Sequence, residues 1–167
     1  MTARAARLGG AALATGALSI LLGACGGGSP VTTFNETPTT TSGATLAEEA
    51  SPVGPILATG SGYTLYEFVP DTAAKSACVS SACVFLWPPV TVTGTPTIGA
   101  GLHRALLGTL RRPDGSTQVS YGGHPLYRWN SDTKPGMTTG QALLNEGGYW
   151  YVVSPAGKPI TKPFTTN

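Results

Sequence analysis

The chain has 167 residues, with 10 Lys+Arg against 8 Asp+Glu and a formal net charge of +2. Arg4 and Arg7 sit at the extreme N-terminus, and without them the charges balance; from residue 53 onward five acids (Glu67, Asp71, Asp114, Asp132, Glu146) face eight bases. That excess is too small and scattered for nucleic-acid binding, and Arg104, Arg111 and Arg112, the one local basic cluster, read as a solvated loop or strand edge.

The first element is a secretory signal. Arg4 and Arg7 precede an uncharged, apolar run from Leu8 to Leu22, followed by small residues and Cys25. The run is short and no stop-transfer charges follow, so residues 1–24 are expected to be a signal peptide and not a spanning helix. The stretch "LLGAC", Leu21 to Cys25, resembles the bacterial lipobox. By that resemblance Cys25 becomes the mature N-terminus and carries acyl chains. Each buried methylene contributes about 0.8 kcal/mol, so two or more chains hold a protein at a bilayer. The expected location is the extracytoplasmic face of the cell membrane, lipid-anchored.

Residues 26–52 are rich in Gly, Thr, Ser and Pro and poor in large apolar side chains. Such a segment buries too little surface to offset the entropy of ordering. Residues 25–52 are therefore predicted to be the acylated Cys and a flexible tether, with ends about 30 Å apart on average. One domain is expected over 53–167, long enough for a modest core.

Two cysteines remain beyond Cys25. An exported chain meets an oxidising space, so Cys78 and Cys83 are expected to pair. The spacing is not the C-x-x-C of thioredoxin-like sites, and the small loop makes a structural staple contributing about 2 kcal/mol.

Within the domain, short apolar and aromatic runs alternate with turn signals, which predicts strands. "PILAT", "YTLYEFV" and "VFLWPPV" are the candidates in the first half. "ALLGTLRR", "TQVSY", "LYRWN" and Tyr149 to Val153 are those in the second, separated by Pro113-Asp114-Gly115 and Gly122-Gly123 turns. "DTAAKSAC" and "GQALL" offer at most short helical turns.

One phrase occurs twice. "LYEFVPD" spans Leu65–Asp71 and "LYRWNSD" spans Leu126–Asp132, 61 positions later. Gly62 and Gly123 repeat at the same offset, and Trp87 answers Trp150 at 63. Internal repetition implies two copies of one supersecondary unit, each unable to bury its face alone. The predicted fold is therefore mainly β: two antiparallel repeat units, about 55–92 and 105–157, packed with pseudo-twofold symmetry.

Strand alternation puts Tyr66 with Phe68, and Tyr127 with Trp129, on one face. Glu67 and Arg128 occupy matching positions on the other. A position that accepts either sign reads as wet, so the aromatic face is expected to be the packed one. Asp71 and Asp132 close each strand, as Asx-turns or helix caps do. Two readings follow. The phrase specifies the fold, or its aromatic faces and carboxylates form a ligand or hydrolytic site. His103, His124 and Met137 are candidate copper or haem ligands, but without C-x-x-C-H or a His-rich tract no cofactor is called for.

The doubled Tyr-x-(Phe/Trp/Tyr)-x-x-Asp pattern, carried by Tyr66, Phe68, Asp71 and Tyr127, Trp129, Asp132 behind a lipobox, resembles a family of bacterial predicted lipoproteins, a secreted repeat of unknown function. "CVFLWPPV" and "GGYWYVVSPAG" resemble its Trp-bearing blocks. The resemblance implies an extracytoplasmic repeat protein and brings no activity, substrate or catalytic residue. The expected function is a non-enzymatic domain that binds or scaffolds an envelope component. The alternatives are a metal- or haem-handling redox lipoprotein and a wall-polymer hydrolase.

Overall fold

The computed structural model describes residues 45–162. The signal segment, Cys25 and most of the tether lie outside the described residues. Ten strands and two short helical segments make up the order. They are β1 (Thr45–Glu49), β2 (Ile56–Thr59), β3 (Tyr66–Phe68), α1 (Ser81–Leu86), β4 (Thr91–Val92), β5 (Thr97–Ile98), a 3-10 turn (Arg104–Leu106), β6 (Leu107–Arg111), β7 (Thr117–Tyr121), β8 (His124–Pro125), β9 (Leu143–Asn145) and β10 (Gly148–Val152). They form three small sheets, ordered β2-β1-β5, β3-β10-β9 and β4-β7-β6, with β8 also on β7. All pairings are antiparallel except β1 with β5.

The tether ends earlier than its composition suggests. Thr45–Glu49, expected to be flexible, forms β1 and pairs with β2 in the register Leu46↔Thr59 to Glu49↔Ile56. Leu46 is fully buried, and this one side chain together with two flanking strands outweighs a weak local preference.

The second departure is at "VFLWPPV". The strand expected through Val84 and Phe85 is instead α1. The Ser80 side chain caps it by accepting from Cys83 N at 3.1 Å. Trp87 sits at its C-cap, and Pro88-Pro89 stop it. Cys78 and Cys83 form the expected disulfide, with both residues buried. Beyond the prolines the chain becomes extended and runs beside residues 126–130, with Arg128 N donating to Pro88 O. "LYRWN", expected as a strand, contributes only bridges at Tyr127. Neither "DTAAKSAC" nor "GQALL" is helical.

The pseudo-twofold is written in backbone hydrogen bonds. At its centre Tyr66 N donates to Tyr127 O at 2.9 Å, and Tyr127 N donates to Tyr66 O at 3.0 Å. Around it the bonds come in matched pairs. Leu57 N donates to Val153 O (2.7 Å) as Val119 N does to Val90 O (2.8 Å). Leu65 N donates to Leu57 O (2.9 Å) as Leu126 N does to Val119 O (3.0 Å). Val153 N donates to Leu65 O (3.2 Å) as Val90 N does to Leu126 O (2.9 Å). Hairpin β1–β2 corresponds to hairpin β6–β7.

These pairs also reveal an exchange. Val90 belongs to the first half by sequence yet pairs with the second half's Val119 and Leu126. Val153 belongs to the second and pairs with the first half's Leu57 and Leu65. Each repeat hands its last strand to the other. Leu46, Leu57, Leu65, Val119, Leu126 and Val153 pack together as one apolar core, and Tyr66, Phe68, Trp87, Tyr127, Trp150 and the disulfide form an adjoining aromatic one.

Candidate functional site

The doubled phrase converges at the dyad, and its polar ends cross. Tyr66 Oη donates to Asp132 Oδ2 at 2.6 Å. Tyr127 Oη donates to Asp71 Oδ2 at 2.8 Å. Each tyrosine therefore serves the aspartate of the other copy. The second oxygen of each carboxylate organises its own loop. Asp71 Oδ1 accepts from Ala77 N at 2.6 Å, and Asp132 Oδ1 accepts from Thr139 N at 2.9 Å and Thr139 Oγ1 at 2.6 Å. The acceptors bind backbone groups six and seven residues on, not the two or three of an Asx-turn or cap. Burial, reinforced by Asp132, pushes the Tyr66 phenol up; burial and the charge of Asp71 do the same to Tyr127. The Asp71 carboxyl is pushed up to about 6, mainly by burial, against the pull of Ala77 N–H and Tyr127.

The aromatic residues also cross. Phe68 stacks on Trp150 at 4.2 Å, Trp150 stacks on Trp87 at 3.8 Å and 1°, and Trp87 meets Trp129 at 4.2 Å with a 30° tilt. The column reads Phe68, Trp150, Trp87, Trp129, so each phrase's aromatic lies on the other half's tryptophan. Tyr66 meets Trp87 edge-on at 5.5 Å, and Tyr127 meets Trp150 edge-on at 5.1 Å. Phe68 is buried, whereas Trp129 is only partly so. Both inner indoles reach one residue: Trp87 Nε1 donates to Asn145 Oδ1 at 3.0 Å and Trp150 Nε1 to Asn145 O at 3.1 Å.

The supposedly wet face is wet in only one copy. Arg128 lies half-buried over the Tyr63 ring, 5.5 Å from its centroid. Glu67 is 4 % exposed, with Oε2 3.2 Å from His124 Nδ1 and Oε1 without a hydrogen bond. A sign change between copies reflects different neighbours here, not solvent. Arg112, read in the sequence as solvated, is buried. It donates to Ser76 Oγ, Gln118 Oε1 and Cys78 O, each at 2.7 Å, and Ser76 Oγ in turn touches Tyr127 Oη. Arg112, Ser76, Tyr127 and Asp71 thus make one chain of polar contacts that periodicity does not signal.

The proposed metal ligands have separate surroundings. His124 faces Glu67, His103 is exposed and its backbone N–H meets Tyr121 Oη, and Met137 Sδ lies 3.7 Å from Thr133 Oγ1. Among the described residues no group of three or more His, Cys, Asp or Glu is placed to hold a metal.

Of the five large apolar side chains exposed among the described residues, Phe85 on α1 and Val79 before it stand apart, and Val69, Leu144 and Tyr149 gather on the outward face of β3-β10-β9. Tyr149 (45 % exposed) is directly opposite Leu144 (62 %), and Val69 (53 %) bonds through its N–H to Tyr149 O. The Tyr149 and Tyr151 rings lie nearly parallel, 5.9 Å apart. No helix among the described residues is long and apolar enough to cross a membrane.

No curated protein and no solved structure matches this chain. The family model Lipoprotein_15, a secreted repeat of unknown function, matches it twice, over residues 50–91 and 108–154, together more than half of its length. Each match holds one copy of the Tyr–aromatic–Asp phrase and half of the crossed contacts, and the chain belongs to this secreted-repeat family.

Proposed function

We propose that the protein is a lipid-anchored extracytoplasmic domain that acts by binding a partner protein of the envelope, not by turnover. One observation carries this reading: the tyrosines and aspartates of the doubled phrase spend their polar groups on one another, while three of the five large apolar side chains exposed among the described residues share one outward sheet face. Val69, Leu144, Tyr149 and Tyr151 make a continuous strip there. Tyrosine contributes large, stiff contact area with a hydroxyl that tolerates water, the mixture that suits a protein interface. The resemblance of Leu21 to Cys25 to a lipobox supports an anchor that would keep the domain at the extracytoplasmic side of the membrane.

Two measurements test the reading. Affinity capture from envelope extract with the full-length chain is expected to recover a defined partner, and Leu144→Ser with Tyr149→Ser is expected to lose it without lowering the melting temperature. Equal capture by the double variant would remove the strip as the binding surface. Cys25→Ala is expected to move the protein from the membrane to the soluble extracytoplasmic fraction; unchanged partitioning would exclude acylation.

A further inference from the structure

We propose that the three tryptophans and the two crossed tyrosines form a relay that carries an oxidising equivalent from the surface into the dyad and parks it on a tyrosine. The proposal is independent of the binding reading. It rests on the order, chemistry and proton partners of the rings.

All three tryptophans of the chain lie in one column, Trp129, Trp87, Trp150, with successive centroids 4.2 and 3.8 Å apart. Indole and phenol are among the most easily oxidised side chains, and rings in van der Waals contact exchange an electron readily. Phe68 closes the far end against Trp150 at 4.2 Å and is resistant to one-electron oxidation. The pseudo-twofold makes Phe68 and Trp129 equivalent positions, so the difference between them is informative. The oxidisable ring stands at the partly exposed end, and the inert ring at the buried end.

The hydrogen bonds divide the rings into conductors and sinks. Trp87 and Trp150 donate to an amide oxygen and a backbone carbonyl of Asn145, both very weak bases. An indole radical cation there keeps its proton and passes its charge on. Tyr66 and Tyr127, edge-on to the column, donate instead to the carboxylates of Asp132 and Asp71. A phenol that loses an electron becomes strongly acidic, and a carboxylate at 2.6 or 2.8 Å takes the proton along the existing bond.

The balance is one electron and one proton. A diffusing one-electron oxidant, such as a peroxidase-generated or inorganic radical, gains an electron from Trp129. Trp87 refills Trp129, and Trp150 can refill Trp87. Tyr66 or Tyr127 refills the column and gives its proton to Asp132 or Asp71, leaving a neutral tyrosyl radical and a protonated carboxyl. An external one-electron donor of the thiol or ascorbate class returns the electron, and the carboxyl returns the proton to the phenolate oxygen. The cargo is therefore a radical equivalent.

The test uses the full chain in detergent with photogenerated tris(bipyridine)ruthenium(III), in a Tyr63→Phe, Tyr149→Phe, Tyr151→Phe background that removes the three phenols reaching solvent. Transient absorption is expected to show a tryptophanyl signal that decays into a tyrosyl one, with electron paramagnetic resonance identifying the latter. Trp129→Phe is expected to lose the tyrosyl signal. Asp71→Asn with Asp132→Asn, which keeps an acceptor but removes the base, is expected to halt the sequence at the tryptophanyl stage. Tyr66→Phe with Tyr127→Phe is expected to do the same. Near-ultraviolet circular dichroism establishes that each variant is folded; where one is not, the tryptophanyl-to-tyrosyl decay of the parent in heavy water, expected to slow, is the deciding measurement. A tyrosyl yield indifferent to Trp129, to the carboxylates and to solvent deuterium would overturn the relay.

Discussion

Tyr66 donates its phenolic proton to Asp132 at 2.6 Å although the two residues come from opposite repeats. Tyr127 and Asp71 return the arrangement at 2.8 Å. A phrase that looks like two independent sites is thus one closed pair of ties. Removing either hydroxyl leaves a carboxylate short of a donor, at a cost of about 1–3 kcal/mol. Tyr66→Phe is expected to cost more than Tyr127→Phe, because Asp132 is buried while Asp71 is partly open to water. Urea unfolding of the two variants, with unchanged slopes, measures the difference.

Asp71 gives the domain an acid-side stability. Its carboxyl titrates at about 6 in the folded state against an ordinary value of 3.8, chiefly through burial. Between those values the folded protein holds more protons than the unfolded chain. The contribution is therefore complete below about pH 4 and is lost as the pH rises through about 6. Glu67 pushes the same way, while Arg112, Tyr127 and Ala77 N–H oppose it. After allowance for partial solvation the effect is about 1–2 kcal/mol. Melting temperatures from pH 4 to 7 are expected to fall in the parent by a few degrees more than in Asp71→Asn. Parallel curves would show that Asp71 does not carry the dependence.

The parts of this architecture legible in the sequence are those set by local chemistry or by repetition. The strands at Ile56–Thr59, Tyr66–Phe68, Thr117–Tyr121 and Gly148–Val152 follow from β-rich runs between turn residues. The doubling foretells the dyad, and the Cys78–Cys83 bond is the pairing expected of a secreted chain. What was hidden is tertiary. Spacing places Tyr66 near Asp71, and nothing in it says that the partner is Asp132. The Glu67/Arg128 swap reads as solvent, but the neighbours differ: His124 beside Glu67, the Tyr63 ring beneath Arg128. Composition blurs β1, because one Leu in a polar stretch carries its anchoring.

That strand sets the domain boundary. A chain begun at residue 53 loses β1, which exposes an edge of β2, frees β5 and removes the fully buried Leu46. Leu46 alone represents about 1.5–3 kcal/mol of burial. A chain begun at residue 36 is expected to unfold at a clearly higher temperature than one begun at 53. Leu46→Ala in the longer chain is expected to reproduce about 2–5 kcal/mol of the loss. Equal stability of the two chains would mean that β1 contributes no net energy.

The exchange of last strands makes the sharpest prediction. Val90 completes the second repeat and Val153 the first, and the column Phe68–Trp150–Trp87–Trp129 alternates between halves. A single repeat therefore lacks one strand of its own sheet, one tryptophan of its stack and the acceptor of its tyrosine. Chains of residues 36–104 and 105–167 are each expected to be unfolded alone. Mixed, they are expected to associate one to one and regain the near-ultraviolet dichroism of the stacked indoles. The folding free energy then becomes a binding free energy, so the signal should depend on concentration. Repeats that merely abutted would behave differently: each half would keep its own sheet and show cooperative melting in isolation. Denaturation of the separate halves distinguishes the two architectures directly, because only the crossed one leaves Tyr66 without Asp132 when the chain is cut.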